Sequence, residues 1–470
     1  METQRYYPKW MFVMLPAFAM MLGWGLRGHI GGGPFGAMIP GAFVALSLGI
    51  LLKLPASFTS VIVVFSVFGV GLGGEMTYGQ TLGIIRNSDT FWWGLTGTTL
   101  KGAVWGLSAG VFLALGIIYK YVEKRTILWA IVIYVIGMIF GFKLINDPML
   151  IYFSDRAKPR AESWAALLFG AVLVLIYLKM NIQSRQFKLI PRFAGLGLVG
   201  GGLGFGLGSL WLVLGTHYPD AVFGSWWKAM EFTFGLLLGA AFGYATWLSR
   251  RDSAFNNWQE DESQSKNYPL WKELGVVSLV GLLIYWLLPM GTETLIESSV
   301  INNMPGGSVR NEIARIIVNY SVVGFILIGF FMVFPKVAWQ LGITLTFAHT
   351  AIDLIRDFYP GTNFWSPFTM HFFWVFLMTA IVALLVSFFT KRENSVRNLF
   401  LLLIWSCLLV SMIRIFVHPE NFDLNGLSFS QVVFGRFIVD LFFLFASIVL
   451  TGFLASGKEV RFRQRAVAHQ

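Results

Sequence analysis

Cysteine is almost missing from this chain. Cys407 is the one thiol in 470 residues, so no intrachain disulfide can form, and a thiolate metal site is excluded by the same count. Charge is scarce as well. Asp, Glu, Lys and Arg make up 13% of the residues, about half the roughly 25% of an ordinary soluble domain. Long polar stretches are also lacking. The longest, 249–269, reads as a linker, and no soluble domain of useful size remains.

What is present is apolar: 56% of the residues are hydrophobic. Runs of helix-spanning length recur along nearly the whole chain, so its solvent is lipid. The expected fold is all-α, a polytopic integral membrane protein with about fourteen transmembrane helices. The spans are placed at 10–26, 36–52, 58–75, 92–119, 127–145, 161–179, 194–214, 228–248, 271–289, 312–334, 336–355, 367–390, 398–417 and 430–455. Pro335 leaves almost no loop between the tenth and eleventh, so thirteen is the competing count. Segment 10–26 follows a short charged stretch but carries no small-residue cleavage pattern, and it reads as the first span rather than a signal peptide.

The net charge is +11. With the N-terminus inside, the inner segments collect 22 of the 35 basic residues and 9 of the 24 acidic ones. Basic flanks near span ends resist translocation, so both termini are expected in the cytoplasm, with a bacterial inner membrane as the default location. No aromatic–basic interleaving on a soluble surface accompanies the charge, and nucleic acid is not expected as a partner.

Glycine recurs with a pattern. Gly69, Gly71 and Gly73 map onto Gly202, Gly204 and Gly206 at an offset of 133 residues, and Gly102, Gly106 and Gly110 map onto Gly235, Gly239 and Gly243. This predicts parallel four-helix units at 1–120 and 121–248, a linker at 249–270, a fainter third unit at 271–390, and a terminal helix pair with a basic tail at 391–470. In lipid, helices associate through close backbone approach, and glycines four apart make a flat strip that allows it.

Several polar residues fall at span ends or inside spans. Burying a charge within a span costs roughly 2.5–3.5 kcal/mol or more, so such groups should face protein or water. Arg27 and His29 lie in a run of seven glycines between Gly23 and Gly36. That run resists a continuous helix, and its freed N–H groups with the two side chains could hold an anion; the bland reading is a tight turn between spans. Glu75, Tyr78 and Gln80 follow the first Gly-x-Gly-x-Gly helix, either as cavity-facing ligand groups or as interfacial residues. His349 and Asp353 sit four apart on one helix face, with Arg356 beyond. They read as a structural pair or as an acid–base pair. Glu231, His371 and Lys101 lie at comparable places, a turn or two into the fourth helix of each unit. Arg160 and Arg310 begin helices six and ten, where a cation opposes the helix dipole; they are expected to pair with carboxylates or bind anionic groups. Glu162 and Glu312 beside them fit the dipole and need no further role.

These features point to an ion-coupled transporter for a polar anionic solute, an acidic sugar or a carboxylate, binding through Arg27, His29, Glu75, Tyr78, Gln80, Arg160, Glu231, Arg310, Arg356 and His371. The alternative is a membrane-embedded transferase or hydrolase facing outward, acting on lipid-linked saccharide or acyl groups, with His349 and Asp353 catalytic. No cofactor or metal is expected in either case; the expected partners are the bilayer and a small or lipid-linked anionic substrate.

Overall fold

The computed structural model describes residues 7–30, 36–74, 76, 78–155, 162–218, 225–256, 268–288, 290–291, 294, 322–358, 375–417 and 426–455. Among them every regular element is helical. In chain order the main helices are α1 (Lys9–Ile30), α2 (Met38–Leu52), α3 (Ala56–Gly73), α4 (Phe91–Ile118), α5 (Lys124–Gly141), α6 (Trp164–Asn181), α7 (Leu189–His217), α8 (Trp226–Ser249), α9 (Leu270–Leu282), α10 (Val322–Val333), α11 (Leu345–Phe358), α12 (Phe376–Thr390), α13 (Ser395–Val417) and α14 (Ile438–Ala455). A short helix, Gly79–Ile84, lies between α3 and α4.

Ten helices among the described residues are long and apolar enough to cross a bilayer. Met38–Leu52, Val322–Val333 and Phe376–Thr390 are apolar but shorter. Large side chains such as Ile136, Ile176, Leu409 and Phe445 stand exposed on the outer faces of their helices. An aqueous surface would not carry so many, whereas acyl chains solvate them without cost. The chain has the architecture of a multi-pass helical membrane protein.

Helices α1 to α4 follow one another in space, and α4 then packs along α7, α7 along α8, and α8 back along α1. α5 and α6 form a pair set beside α4. The glycine stripes explain the closest of these contacts. A Cβ at Gly102 or Gly106 would collide with the carbonyl oxygens of Gly201 and Gly197 on α7, and one at Gly110 with that of Phe193. On α8, Gly235, Gly239 and Gly243 press in the same way on the backbone of α1 at Met20, Pro16 and Phe12. The two stripes thus do the same physical work on different partners, α4 on α7 and α8 on α1. Replacing Gly106 by Leu is expected to separate α4 from α7 and to cost roughly 3 kcal/mol. Thermal unfolding of the purified protein, with elution position as a fold check, reads that loss.

The structure corrects the reading of the glycine-rich run that begins at Gly23. Helix α1 passes the expected end of the first span at 26 and continues through Gly28 to Ile30, so the run is helical over 23–30. Its glycines serve neighbours instead of a loop: a Cβ at Gly23 would strike Pro40 of α2, one at Gly25 would strike Phe232, and one at Gly28 would strike the Glu231 carboxylate. Tertiary packing outweighs the poor helix propensity of glycine here. Residues 31–35 lie outside the described set.

Basic residues gather where helix ends meet. Lys53, at the end of α2, lies 5.9 Å from the Tyr7 ring before α1. Lys124, opening α5, donates to the Met332 carbonyl. Arg192 in the first turn of α7 donates to Ser249 at the end of α8. Arg397 in the first turn of α13 donates to the Leu454 carbonyl at the end of α14.

Candidate functional site

At the other end of α1 the polar residues are buried rather than exposed. Arg27 is 4% exposed. Its guanidinium donates to the Tyr78 hydroxyl at 2.8 Å. It also lies over three rings: Trp24 at 5.4 Å, Tyr78 at 5.9 Å and Trp105 at 5.7 Å. Trp24 and Arg27 are three apart on α1, so helical geometry puts both on the same face. Trp105 comes from α4, and its indole N–H is spent on the Val70 carbonyl of α3 at 2.7 Å. That bond locks the ring in place. Tyr78 also touches Phe205 of α7 and stacks on Trp227 of α8, with centroids 5.1 and 6.3 Å apart. Phe234 closes the group, with its centroid 4.8 Å from Trp24 and 5.5 Å from Trp105. Four helices and the residue before Gly79–Ile84 thus build an aromatic box around one guanidinium. Cation–π attraction grows when both parties are desolvated, up to about 2 kcal/mol per contact.

Next to the box sits the first buried ion pair. Lys228 Nζ lies 2.6 Å from Glu231 Oε2, one turn apart on α8. The same ammonium donates to the Gly25 carbonyl at 3.2 Å. Glu231 is 2% exposed, and its carboxylate rests directly on the Cα of Gly28. Gly28 is therefore required not for backbone freedom but for clearance. Glu231, a residue singled out from the sequence, is brought to within one helix turn of Arg27. Lys228 was not singled out; its place at the expected start of a span made it look like an ordinary interfacial lysine.

A second buried pair lies one turn along α4 from Trp105. Lys101, fully buried, meets Glu162 at 3.0 Å. Thr81 Oγ1 accepts from the same ammonium at 2.7 Å. The Glu162 carboxylate accepts the Ser154 hydroxyl at 2.6 Å and the Phe153 backbone N–H at 3.2 Å. Glu162 precedes α6, whose N-cap is Ser163, so it lies outside the first helical turn. Its part is to hold Lys101 and not merely to complement a dipole. The sequence carried one usable signal, a lysine in the middle of an otherwise apolar and glycine-rich helix. Such a residue needs a carboxylate, and nothing in local spacing reveals that the partner is 61 positions away.

The remaining expected residues divide plainly. Gln80 is half-buried in the short helix Gly79–Ile84. His29 falls in the last turn of α1, and Asp353 and Arg356 fall in α11; their side chains lie outside the described set. Glu75, Arg160, Arg310, Glu312 and His371 also lie outside the described residues. His349 is buried on α11, but its described contact is elsewhere. Its ring stacks on Tyr285 of the π-helical segment Leu283–Leu287 that continues α9, with centroids 5.7 Å apart. Among the described residues no three metal-ligating side chains come together.

Comparison with protein-family models, with curated proteins and with solved structures finds no match.

Proposed function

We propose that the protein is an ion-coupled membrane transporter for a polar anionic organic solute such as an acidic sugar or a carboxylate. In this reading it has about fourteen spans in a bacterial inner membrane, with both termini in the cytoplasm and related four-helix units in its first half. One observation carries the reading. Arg27, Lys101, Lys228, Glu162 and Glu231 are all buried toward one end of α1–α8, around a box of tryptophan and tyrosine rings. Five ionisable groups buried together are a heavy cost for stability alone, since apolar replacements of buried pairs are often neutral or stabilising. A guanidinium is suited to a carboxylate, and flat aromatic faces are suited to the apolar face of a sugar ring. The Lys228–Glu231 pair beside it can part when a proton or a solute carboxylate takes one partner's place, and that exchange supplies coupling.

The test is uptake by reconstituted vesicles. Under an imposed proton gradient, labelled hexuronates or short dicarboxylates should accumulate. Arg27→Gln should reduce the initial rate at least about tenfold, equivalent to about 1.4 kcal/mol. Accumulation without a gradient requirement would sink the coupling, and wild-type uptake by Arg27→Gln would sink the site.

A second reading, the lipid-linked transferase or hydrolase, is favoured by a different observation. An apolar cavity of about 400 Å3 lies between α9, α11 and α12, lined by Tyr285 and Ala348 next to His349. Turnover of a lipid-linked substrate in detergent, lost in His349→Ala, would support this reading over transport.

A further inference from the structure

A second cavity, of about 550 Å3, lies at the opposite end of α1 from Arg27. Met11, on its wall, is sixteen residues from Arg27, roughly 24 Å along the helix. Four helix ends enclose it: the start of α1, the end of α2, the start of α13 and the end of α14. Its polar rim holds Lys53, Arg397, Asn394 and Ser395, and among the described residues no Asp or Glu lines it. The deeper wall is apolar, built by Met11, Leu15, Leu51, Leu54, Val396 and Leu454. We propose that this cavity binds the phosphodiester headgroup of an anionic phospholipid, with the upper part of its acyl chains against the apolar wall.

The argument has three parts. First, Arg397 lies in the first turn of α13, a helix with no acidic residue in that turn. The helix N-terminus is positive, so an anion placed beside Arg397 is favoured by the side chain and the dipole together. One N–H of Arg397 is used on the Leu454 carbonyl at 3.1 Å, and a guanidinium has five. Second, Lys53 reaches the same cavity from a left-handed residue, φ 51°, that ends α2. Two cations beside a helix start form a phosphate site, for which arginine supplies the bidentate geometry. Third, the wall beneath is apolar. A soluble phosphate gains nothing from Met11, Leu15 and Leu454, whereas a glycerophospholipid has an apolar part to place there. Basic pockets between transmembrane helices at one membrane face recognise acidic headgroups by this combination. The inference does not depend on what the protein transports or transforms.

Native mass spectrometry of the detergent-purified protein, offered phosphatidylglycerol and phosphatidylcholine in equal amounts, tests it. Wild type should retain phosphatidylglycerol at least about tenfold better, since both cations act on an acidic headgroup. Lys53→Gln with Arg397→Gln should bring retention to the phosphatidylcholine level. Lys124→Gln with Arg192→Gln, which removes two charges elsewhere, should leave the preference intact. Equal retention of the two lipids by wild type overturns the proposal, and so does an equal loss in the Lys124→Gln, Arg192→Gln pair. If glycerol phosphate protects wild type from thermal unfolding as well as phosphatidylglycerol does, the site serves a soluble phosphate and the lipid assignment fails. Should the Lys53 and Arg397 pair fail to fold, the wild-type lipid ratio and the glycerol phosphate comparison still decide.

Discussion

Lys101→Met should lower the stability of the folded protein by about 3–5 kcal/mol, the range for removing one partner of a buried ion pair. The reason is Glu162. With its counter-charge gone, the carboxylate keeps only the Ser154 hydroxyl and the Phe153 N–H. These hydrogen-bond it but do not neutralise it. Adding Glu162→Gln to Lys101→Met should recover most of the loss, because the buried charge is then gone altogether. An amide at 162 still accepts from Ser154 and Phe153 through its oxygen. The measurement is thermal or denaturant unfolding in detergent, followed by tryptophan fluorescence. If both variants lose the same amount, what matters is the shape of the lysine chain and not the pairing. If neither loses anything, the pair is not buried as described.

Gly28→Ala is the second large effect, and it separates site geometry from stability. One methyl group at residue 28 would occupy the space of the Glu231 carboxylate. Alanine itself favours a helix over glycine by about 1 kcal/mol, so α1 gains locally while the contact to α8 is lost. Glu231 must swing off Lys228 or α8 must shift from α1. Uptake in the vesicle assay should fall at least about tenfold, a loss of about 1.4 kcal/mol or more. The unfolding temperature should change far less than in Lys101→Met. Glu231→Ala in the Gly28→Ala background should add little further loss, since the two changes act on one contact. Full uptake by Gly28→Ala would remove Glu231 from the working site.

The helices were legible because their signal is long and redundant. An apolar run of about twenty residues has few alternatives in lipid, where every backbone polar group must be satisfied internally. The apolar stretches expected at 92–119 and 228–248 correspond to Phe91–Ile118 and Trp226–Ser249 within a few residues. The role of the stripe at Gly102, Gly106 and Gly110 was equally readable, since only close approach makes use of it. Its partner was not. Which helix receives a flat face depends on the arrangement of all the others: α7 meets the α4 stripe with Gly197 and Gly201, four apart, but α1 meets the α8 stripe at Phe12, Pro16 and Met20, which no glycine spacing marks out. The glycine run after Gly23 misled for the opposite reason. Local propensity argues for a break there, while contacts with Pro40, Phe232 and Glu231 hold a helix.

The site was half legible. Arg27, Tyr78 and Glu231 stood out as polar groups at membrane depth. Trp24 and Trp227 did not, because tryptophan at span ends is ordinarily an interfacial anchor, and Trp105, in the middle of the expected span 92–119, carried no polar signal. Lys228 and Glu162 were hidden by position. Each falls at the start of an expected span, 228–248 or 161–179, where a charged residue has an everyday explanation.

The glycine seams along α4–α7 and α8–α1 also constrain how the molecule can change shape. Backbone meeting backbone through three successive turns leaves no layer of pliable side chains to absorb sliding, so a displacement of even part of a turn brings a Cβ or a carbonyl into collision. Helices α1, α8, α7 and α4 therefore travel as one rigid slab. If the Arg27 box binds the proposed solute, its opening is expected in the parts outside that slab, the α5–α6 pair first among them.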